Sequence, residues 1–332
     1  MKLLFITQKI DEQDDDLAFV TQWIDEFIKS GFEVEVLCLE KGKFDGRFTV
    51  QSLGKEKGSG KVKRIFSFYK YIFSHNCDRV FIHMNPEYFT LGGWYWFASR
   101  TPMYLWYTHY TTHIHLKLAS LFSKRMFAAT KQSLPQYDSS DKKIVTGHGV
   151  NVGYWYQKNI CLDPTKMLMV HRLSRSKRVE LGIESLRFLP EEYTLTIYGR
   201  PVDEEYYKEL NALVKEHNLE NRVVFKGPVP MPELRSLYLK HRIMINMASE
   251  TIDKTMLEAM CNGVFPVTTS GNMEAIGLDF KLKEDSAKTI ADFVLSGQAL
   301  KLKQEELLKV VKEKHSLTSL VSKMSTYIES GV

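Results

Sequence analysis

The sequence predicts an α/β protein made of two doubly wound, Rossmann-like parallel-sheet domains that face a cleft. The chain has 332 residues, more than one ordinary hydrophobic core contains. Short apolar runs alternate with amphipathic helical patterns, which is typical of parallel sheets. The alternation begins again after a polar stretch at residues 157–166, so we predict two sheets rather than one.

The elements of the first half follow from runs of aliphatic, β-branched and aromatic residues. The predicted strands are residues 2–6, 34–39, 79–83, 103–107 and 125–129. Between the first two, apolar residues recur at helical spacing and Gly31 follows as a stop: Leu17, Val20, Trp23, Ile24, Phe27 and Ile28.

The second half repeats the pattern. The predicted strands are residues 167–170, 193–199, 223–225, 243–247 and 265–269. The predicted helices are residues 178–188, 204–217, 232–241 and 254–262, followed by a last helix past the second sheet. We therefore predict domains at residues 1–156 and 157–314, with residues 315–332 as the final helix.

Composition favours a globular protein of the cytoplasm. The hydrophobic share is 44% and the charged share is 26%, so disorder is not expected. No signal peptide is visible after Met1, because the first apolar run is short. The cysteines lie far apart, which favours a reducing compartment over disulfides or a zinc site: Cys38, Cys77, Cys161 and Cys261.

Residues 88–107, "YFTLGGWYWFASRTPMYLWY", are apolar and long enough to span a bilayer. Arg100 and Pro102 stand near the middle, and a charge there is costly in lipid. We therefore predict a buried helix, a turn and a buried strand, with a membrane span as the alternative.

Charge is unevenly distributed along the chain. The net charge is +5, residues 55–72 hold six basic residues and one acid, and residues 88–137 hold no acid. This predicts a basic face and not a nucleic-acid-binding tail. Residues 61–73 mix basic and apolar side chains, which fits the core side of a helix or a peripheral contact with anionic lipid at the inner face of the membrane.

Cofactor and metal patterns are weak. No G-x-G-x-x-G or Walker sequence follows a predicted strand, so dinucleotide and P-loop binding are not expected. The histidines His109, His113 and His115 lack a nearby acidic or cysteine partner. The acids at residues 14–16 are expected to lead into a helix N-terminus. We predict no metal site.

Two pairs of charged residues point to a sugar–diphosphate–ribose ligand. Glu250 follows a predicted strand, and Glu258 lies inside the helix that begins near Lys254. Carboxylates accept hydrogen bonds from hydroxyl groups, and a helix start attracts phosphate. Arg172 and Lys177 follow another strand and would neutralise a diphosphate, although a solvated basic loop is the alternative.

The motifs "VHRLSRSK", "IYGRP", "VVFKGPVP" and "SETIDKTMLEAMCNGVFPV" resemble the donor-binding half of retaining GT-B glycosyltransferases of family 4. The resemblance implies that Arg172 and Lys177 grip the diphosphate, while Glu250 and Glu258 hold the sugar and the ribose. It also implies that the last helix crosses back to the first domain. The other donor-binding positions that it implies are Gly199, Arg200, Gly227, Lys254 and Thr255.

The first half resembles the family more loosely. "LWYTHY" resembles the family strand that ends in a histidine, so His109 is expected to donate a hydrogen bond near the transferred sugar. A satisfied buried histidine is the alternative. "TGHGVN" resembles the turn that closes the first domain. On the acceptor side we expect Asn85, Glu87 and His148.

Several positions depart from the family pattern. Asp253, followed by Lys254, replaces the glycine that is usual between the two glutamates. His171 stands where a glycine is common before Arg172, and the acidic "DEQDDD" replaces a glycine-rich loop. These departures favour the first alternative to an active enzyme, a catalytically silent binding partner of an active transferase. A GT-B sugar-nucleotide epimerase or hydrolase is the second alternative.

The resemblance implies a retaining, metal-independent hexosyltransferase of bacterial polysaccharide biosynthesis. Its donor would be a UDP- or GDP-linked sugar, which is a substrate, and no cofactor is expected. Its acceptor would be a glycan or a lipid-linked sugar, and no nucleic-acid partner is expected.

Overall fold

The structure is a computed structural model that describes residues 1–14, 16–109, 112–158, 162–249 and 252–331. The chain forms two compact units, one of residues Met1–Gly149 with Leu317–Val332 and the other of residues Val150–Ser316. The backbone N–H of Val150 donates to His315 O at 2.8 Å, so the two ends of the second unit lie side by side. Its limits therefore differ by a few residues from the predicted 157–314.

Twelve strands within the described ranges form two parallel sheets. The first sheet contains β1 Lys2–Ile10, β2 Glu33–Lys41, β3 Thr49–Ser52, β4 Arg79–His83, β5 Met103–Tyr107, β6 Ser123–Ala128 and β7 Lys143–Val145. The second contains β8 Asp163–Val170, β9 Thr194–Tyr198, β10 Val223–Gly227, β11 His241–Asn246 and β12 Phe265–Thr268.

Fourteen α-helices are found in the described part of the chain. They are α1 Val20–Lys29, α2 Lys61–Ser74, α3 Glu87–Ala98, α4 Ile114–Phe122, α5 Val152–Trp155, α6 Val179–Ser185, α7 Glu204–Glu216, α8 Met231–Leu237, α9 Lys254–Met260, α10 Ser270–Ile276, α11 Ala287–Leu295, α12 Gln298–Lys301, α13 Gln304–Lys314 and α14 Leu317–Ser330.

The strand order makes each sheet doubly wound, which confirms the predicted fold class. The first sheet runs β3-β2-β1-β4-β5-β6-β7 and the second β10-β9-β8-β11-β12. In each, the chain winds outward on one side of the first strand and then crosses to the other side. The switch point lies between β1 and β4 in one unit and between β8 and β11 in the other. Ligands of such sheets bind at the carboxyl ends of the strands near this point.

The core of the first unit joins its two chain segments. Trp23 and Phe27 of α1 are fully buried, and Leu320 and Met324 of α14 belong to the same apolar cluster. The Tyr104 hydroxyl donates to the backbone oxygen of Tyr327 at 3.1 Å. Packing of apolar helix faces on the sheet thus holds α14 in this unit.

Residues 88–107 form most of α3, a turn and β5, as predicted. The prediction of a buried helix is wrong for one face of α3, because Trp94 and Phe97 are 51% and 68% exposed. No helix within the described ranges combines the length and the apolar character that a bilayer span requires.

Candidate functional site

In the second unit, the loops after β8 and β9 pair with each other. The N–H of Leu173 donates to Arg200 O at 2.9 Å. Gly199 has a φ of +149°, and a Cβ at this position would stand 1.8 Å from the backbone oxygen of His171. Only glycine allows so close an approach of two backbones. The predicted donor residue Gly199 therefore shapes the loop that carries Arg172.

The start of α9 is tied to the end of β8. The Thr255 hydroxyl donates to Val170 O at 3.0 Å, and the N–H of Ser249 donates to Ser176 O at 3.4 Å. These bonds bring α9 beside the loop that contains Lys177. The predicted donor residues of the two segments thus meet at the switch point of the second sheet.

Lys177 is held by a partly buried carboxylate. Its Nζ lies 2.6 Å from Asp253 Oδ1, and Asn246 Nδ2 donates to Asp253 Oδ2 at 2.7 Å. Burial raises the pKa of Asp253, but Lys177 and its other polar neighbours outweigh burial and lower this pKa overall. Asp253 therefore stays ionised, and it fixes the position of the lysine at the switch point.

His171 lies against this ion pair. Its side chain is buried, and its Nδ1 lies 3.1 Å from Arg172 O. Burial lowers the pKa of His171 to about 4, with the Lys177 charge acting in the same direction. The imidazole is therefore neutral at physiological pH. The loop that carries Arg172 therefore begins with an uncharged hydrogen-bonding ring.

Arg172 and Arg175 differ although they lie on one loop. Arg172 is exposed and has no ion pair or hydrogen bond of its side chain within the described part of the chain. Arg175 binds both carboxylate oxygens of Glu209 at 2.8 Å and lies over the Tyr206 ring. Arg172 is thus the guanidinium that remains available to an anionic ligand.

Lys254 and Glu258 are one helical turn apart on α9. Burial raises the pKa of Glu258 to about 7, while the Lys254 charge opposes this shift. Burial lowers the pKa of Lys254 to about 7, and the Glu258 charge opposes that shift. The Tyr238 hydroxyl lies 3.5 Å from Glu258 Oε2. The protonation of this pair therefore changes near neutral pH. The sequence predicted Lys254 as a donor-binding residue, but it did not predict a lowered pKa for this lysine.

The remaining predicted donor residues are placed as follows. Gly227 ends β10, and its backbone oxygen accepts from the N–H of Gly199 at 2.8 Å. Arg200 is exposed in the loop after β9. Glu250 lies outside the described residues, so its predicted role stays a prediction. The N-cap of the seven-residue helix α9 is Asp253, so a carboxylate stands where the sequence predicted an anion site.

The first unit brings together two of the predicted acceptor-side residues. Asn85 and Glu87 line one cavity beside the start of α3. His148 is buried in an aromatic cluster, with its ring 6.5 Å from that of Trp106. His109 is exposed just after β5, so the alternative of a buried histidine is wrong. These two histidines do not line the cavity that contains Asn85.

The other histidines bind side chains rather than forming a cluster with acids. His113 Nε2 lies 3.2 Å from the Tyr107 hydroxyl, and His115 Nδ1 lies 2.7 Å from Thr90 Oγ1. Among the described residues, no group of three histidines, cysteines or acids is arranged to hold a metal ion. Asp14 accepts from the N–H of Leu17 at 2.7 Å, ahead of α1.

Sequence reasoning missed that Asp253 and Asn246 support Lys177. Asn246 is a polar residue at the end of an apolar strand, which was a usable signal. Polar side chains that end a buried strand often face the ligand crevice of a parallel sheet. The pairing itself joins positions 76 residues apart and needed the structure.

Comparison with known proteins assigns the second unit. Residues 157–309 match the family described as "Glycosyl transferases group 1". No curated protein sequence matches the chain. Solved structures match across both units. The chain has the GT-B fold, and its residues 157–309 are similar to the group 1 glycosyltransferases.

Three of the matching structures cover almost the whole chain. Anabaena HepE with UDP-glucose has a TM-score of 0.79 at 15% identity, covering 99% of this chain and 100% of that chain. The lipopolysaccharide outer core galactosyltransferase WaaB gives 0.74 at 15% identity, with 99% and 100% coverage. A glycosyltransferase from Rickettsia africae gives 0.75 at 15% identity, with 99% and 98% coverage. The resemblance inferred from the motifs is confirmed, and the predicted GT-B fold with it.

Proposed function

We propose that the protein is a retaining glycosyltransferase that moves a hexose from a UDP- or GDP-linked sugar to a glycan or lipid-linked acceptor. The group 1 match over residues 157–309 supports this activity. HepE, whose solved structures contain UDP and UDP-glucose, shares the fold and supports a nucleotide-sugar donor.

One observation carries the proposal. Arg172 and Lys177 lie at the carboxyl end of β8, at the switch point of the sheet, in the unit that matches the family. Arg172 has no side-chain partner in the described ranges, while Asp253 holds Lys177 in place. One free and one positioned cation suit the two phosphates of a nucleoside diphosphate.

The proposed chemistry uses this charge on the leaving group. The bond between the anomeric carbon and the diphosphate oxygen breaks, and its electron pair stays on the phosphate. The acceptor oxygen forms its bond to the anomeric carbon on the same face, and its proton passes to the departing phosphate. Arg172 and Lys177 stabilise the negative charge as it develops, which lowers the barrier. Because the protein supplies these cations, we propose that turnover needs no metal ion.

The remaining residues take supporting roles in this proposal. Glu258 binds the ribose hydroxyls, and Glu250 contacts the transferred sugar. Gly199 and Gly227 shape the loops beside the donor, and Arg200 contributes charge. Lys254, which is partly neutral near pH 7, donates hydrogen bonds rather than a full charge.

The other predicted residues also keep proposed roles. Thr255 positions α9 through its bond to Val170. In the first unit, His109 lies toward the transferred sugar, and Asn85, Glu87 and His148 belong to the acceptor side. We propose that the enzyme acts in the cytoplasm, in bacterial polysaccharide synthesis, against the inner face of the membrane.

The Arg172→Ala variant tests the donor site. We expect it to weaken binding of UDP or GDP by about 1 to 3 kcal/mol, the range of a hydrogen bond to a charged group. Arg175→Ala is the matched control, because Arg175 lies on the same loop but pairs with Glu209. Calorimetric titration of both variants measures the difference. Equal affinities in the wild type and Arg172→Ala would remove this residue from the site.

The wild-type protein used in that titration also tests the reaction. NMR of the product should show the anomeric configuration of the donor. Turnover should persist in excess chelator. An inverted product would contradict retention, and activity that disappears in chelator and returns with Mg²⁺ or Mn²⁺ would contradict metal independence.

A further inference from the structure

The first unit contains a cavity of about 400 Å³ at the carboxyl ends of its strands. It lies between Leu39 near the end of β2, Leu53 just after β3 and Asn85 just after β4. Sites for small molecules in proteins typically measure roughly 300–1,000 Å³. The cavity thus has the size and the position in a doubly wound sheet of a ligand site.

Arg64 offers charged donors to this cavity. Its Nε is shielded from solvent and makes no hydrogen bond to the described residues, so a ligand in the cavity does not reach this atom. The two terminal nitrogens of its guanidinium are not shielded in this way, and no described residue pairs with them. Asn85 Oδ1 is shielded as well, and Asn85 Nδ2 donates to Gln8 Oε1 at 3.2 Å. An anionic group in the cavity would therefore pair with the outer edge of the Arg64 guanidinium.

The charge around the cavity is mainly positive. Lys61 and Arg64 line it on one side, and Glu87 is the acid in its lining. Lys61 is the first residue of the fourteen-residue helix α2, whose N-cap Gly60 offers no side-chain hydrogen bond. The free N–H groups of that helix start add positive potential to that of the two side chains. An anionic group is therefore favoured at this end of the cavity.

The rest of the lining suits the ring of a sugar. Leu39, Ile65 and Leu91 provide a partly exposed apolar wall, which can pack against the C–H face of a pyranose. Glu87 provides oxygen acceptors for its hydroxyl groups. A purely apolar ligand would leave the Arg64 guanidinium and Lys61 without polar partners, and a neutral sugar would leave both without a negative partner.

We propose that this cavity binds an acidic sugar, with a carboxylate or phosphate at Arg64 and Lys61 and a hydroxyl at Glu87. The inference rests on the proposed function in one respect, since it names the acidic sugar as part of the acceptor. Arg64 and Lys61 are specificity-determining residues in this assignment. They select the acceptor and take no part in the bond rearrangement at the donor.

Ligand-observed NMR titrations on the full chain test the site. The probes are methyl glucuronide, methyl glucoside 6-phosphate and neutral methyl glucoside. UDP and GDP are present in excess, so that the donor site is occupied. Both acidic probes, or one of them, should bind about tenfold or more tightly than the neutral probe, and the preference should fall as salt rises. Which acid binds tighter distinguishes a carboxylate site from a phosphate site.

Variants assign the preference to the cavity. Arg64→Gln should reduce the preference for the acidic probe by at least about fivefold, as expected when a charged hydrogen bond is lost. Lys63→Gln is the matched control, since Lys63 is exposed on the same helix and does not line the cavity. Lys61→Gln serves as a second test at the exposed rim if Arg64→Gln does not fold.

Two results would overturn the inference: equal binding of all three probes, or an unchanged acid preference in both Arg64→Gln and Lys61→Gln. A nucleotide-sugar titration on a second sample of the same protein, without UDP or GDP, separates the two proposals. Nucleotide binding without acid preference overturns only the cavity site. Acid preference that Arg64→Gln abolishes, in a protein that binds no nucleotide sugar, supports the cavity site and overturns the glycosyltransferase assignment.

Discussion

Among single residues of the proposed donor site, Glu258 and Lys254 are the two whose pKa values burial moves to about 7. The Glu258 side chain is 5% exposed, and burial raises its pKa from 4.5 to about 7. A carboxyl group that is partly protonated at neutral pH can both donate and accept hydrogen bonds. Such a group suits a pair of ribose hydroxyls, each of which is also donor and acceptor.

This protonation predicts a pH effect on stability. The folded protein keeps a proton on Glu258 between about pH 4.5 and 7, where the unfolded chain has lost it. The free energy of unfolding therefore falls as pH rises through this window, because the folded state binds more protons. Glu258→Gln removes this pH-dependent part of the free energy of unfolding. The free energy of unfolding of the variant minus that of the wild type should therefore be larger at pH 8 than at pH 5.

The expected difference is about 1 to 3 kcal/mol, since one pKa unit corresponds to about 1.4 kcal/mol. Denaturant unfolding of both proteins at the two pH values measures it. Glu233→Gln is the control, because it removes the charge of an exposed carboxylate in the first turn of α8. A stability difference that is the same at pH 5 and pH 8 would contradict a raised pKa of Glu258.

The residues that the sequence could and could not identify differ in a physical way. Arg172 and Lys177 were recognisable because two cations follow a strand of a parallel sheet. The sequence did not show that Lys177 is ion-paired while Arg172, within the described residues, is not, because the partner of Lys177 is Asp253, 76 residues along the chain. Ion pairs between distant segments depend on tertiary packing, which local patterns do not contain.

At the scale of elements, the meeting of the β8 and β9 loops is the most constrained feature of the site. Gly199 adopts a φ of +149°, a conformation that side chains strongly disfavour. The added Cβ of alanine would also collide with the backbone of His171. A backbone atom cannot swing aside as a flexible side chain can, so the two loops would have to separate.

Gly199→Ala should therefore lower the free energy of unfolding by about 2 to 4 kcal/mol, as backbone strain and steric overlap typically do. Nucleotide binding should fall as well, because Arg172 lies on the displaced loop. Gly271→Ala is the control: it lies in α10, and nothing stands within 4 Å of the added Cβ. Denaturant unfolding and calorimetry of both variants measure the effects. Similar stability in the two variants would contradict the close approach.

The elements themselves were largely predictable. All ten predicted strands are present, since each is an apolar run flanked by polar residues. β3 and β7 were missed because they have only four and three residues, and β3, "TVQS", mixes polar with apolar side chains. The helices from α10 to α13 were also missed. Three of these four helices have nine residues or fewer, and packing against the second sheet, rather than a long periodic pattern, stabilises them.

At the scale of the whole molecule, the two units differ in surface character. In the first unit, α2, α3 and α4 expose apolar side chains. Phe66 and Phe73 lie seven residues apart on one side of α2, with exposures of 71% and 55%. The ring of Phe73 contacts that of Trp94 on α3, at 6.2 Å between centroids. Phe97 on α3 in turn contacts Phe122 on α4, so the three helices form one continuous face.

Basic residues surround this face, which we name the α2–α4 face. Lys63, Lys70, Arg100, Lys117 and Lys124 are exposed on or beside its helices. Residues 88–137 contain no acid that would offset them. Exposed aromatic rings with a basic surround match the interfacial region of an anionic bilayer, where rings enter the boundary and cations bind headgroups. The charge complementarity favours lipid over a second, equally basic copy of the chain.

We therefore expect the protein to co-sediment with vesicles that contain anionic phospholipid, and less so as salt screens the basic residues. The double variant Phe66→Ser with Phe97→Ser should weaken this binding roughly tenfold, because burial of each aromatic side chain contributes to membrane affinity. Phe188→Ser is the control, since Phe188 is 44% exposed on the second unit. Sedimentation without lipid tests the competing explanation. A dimer that Phe66→Ser with Phe97→Ser dissociates, in a protein that does not bind the vesicles, would show that the α2–α4 face is a protein interface.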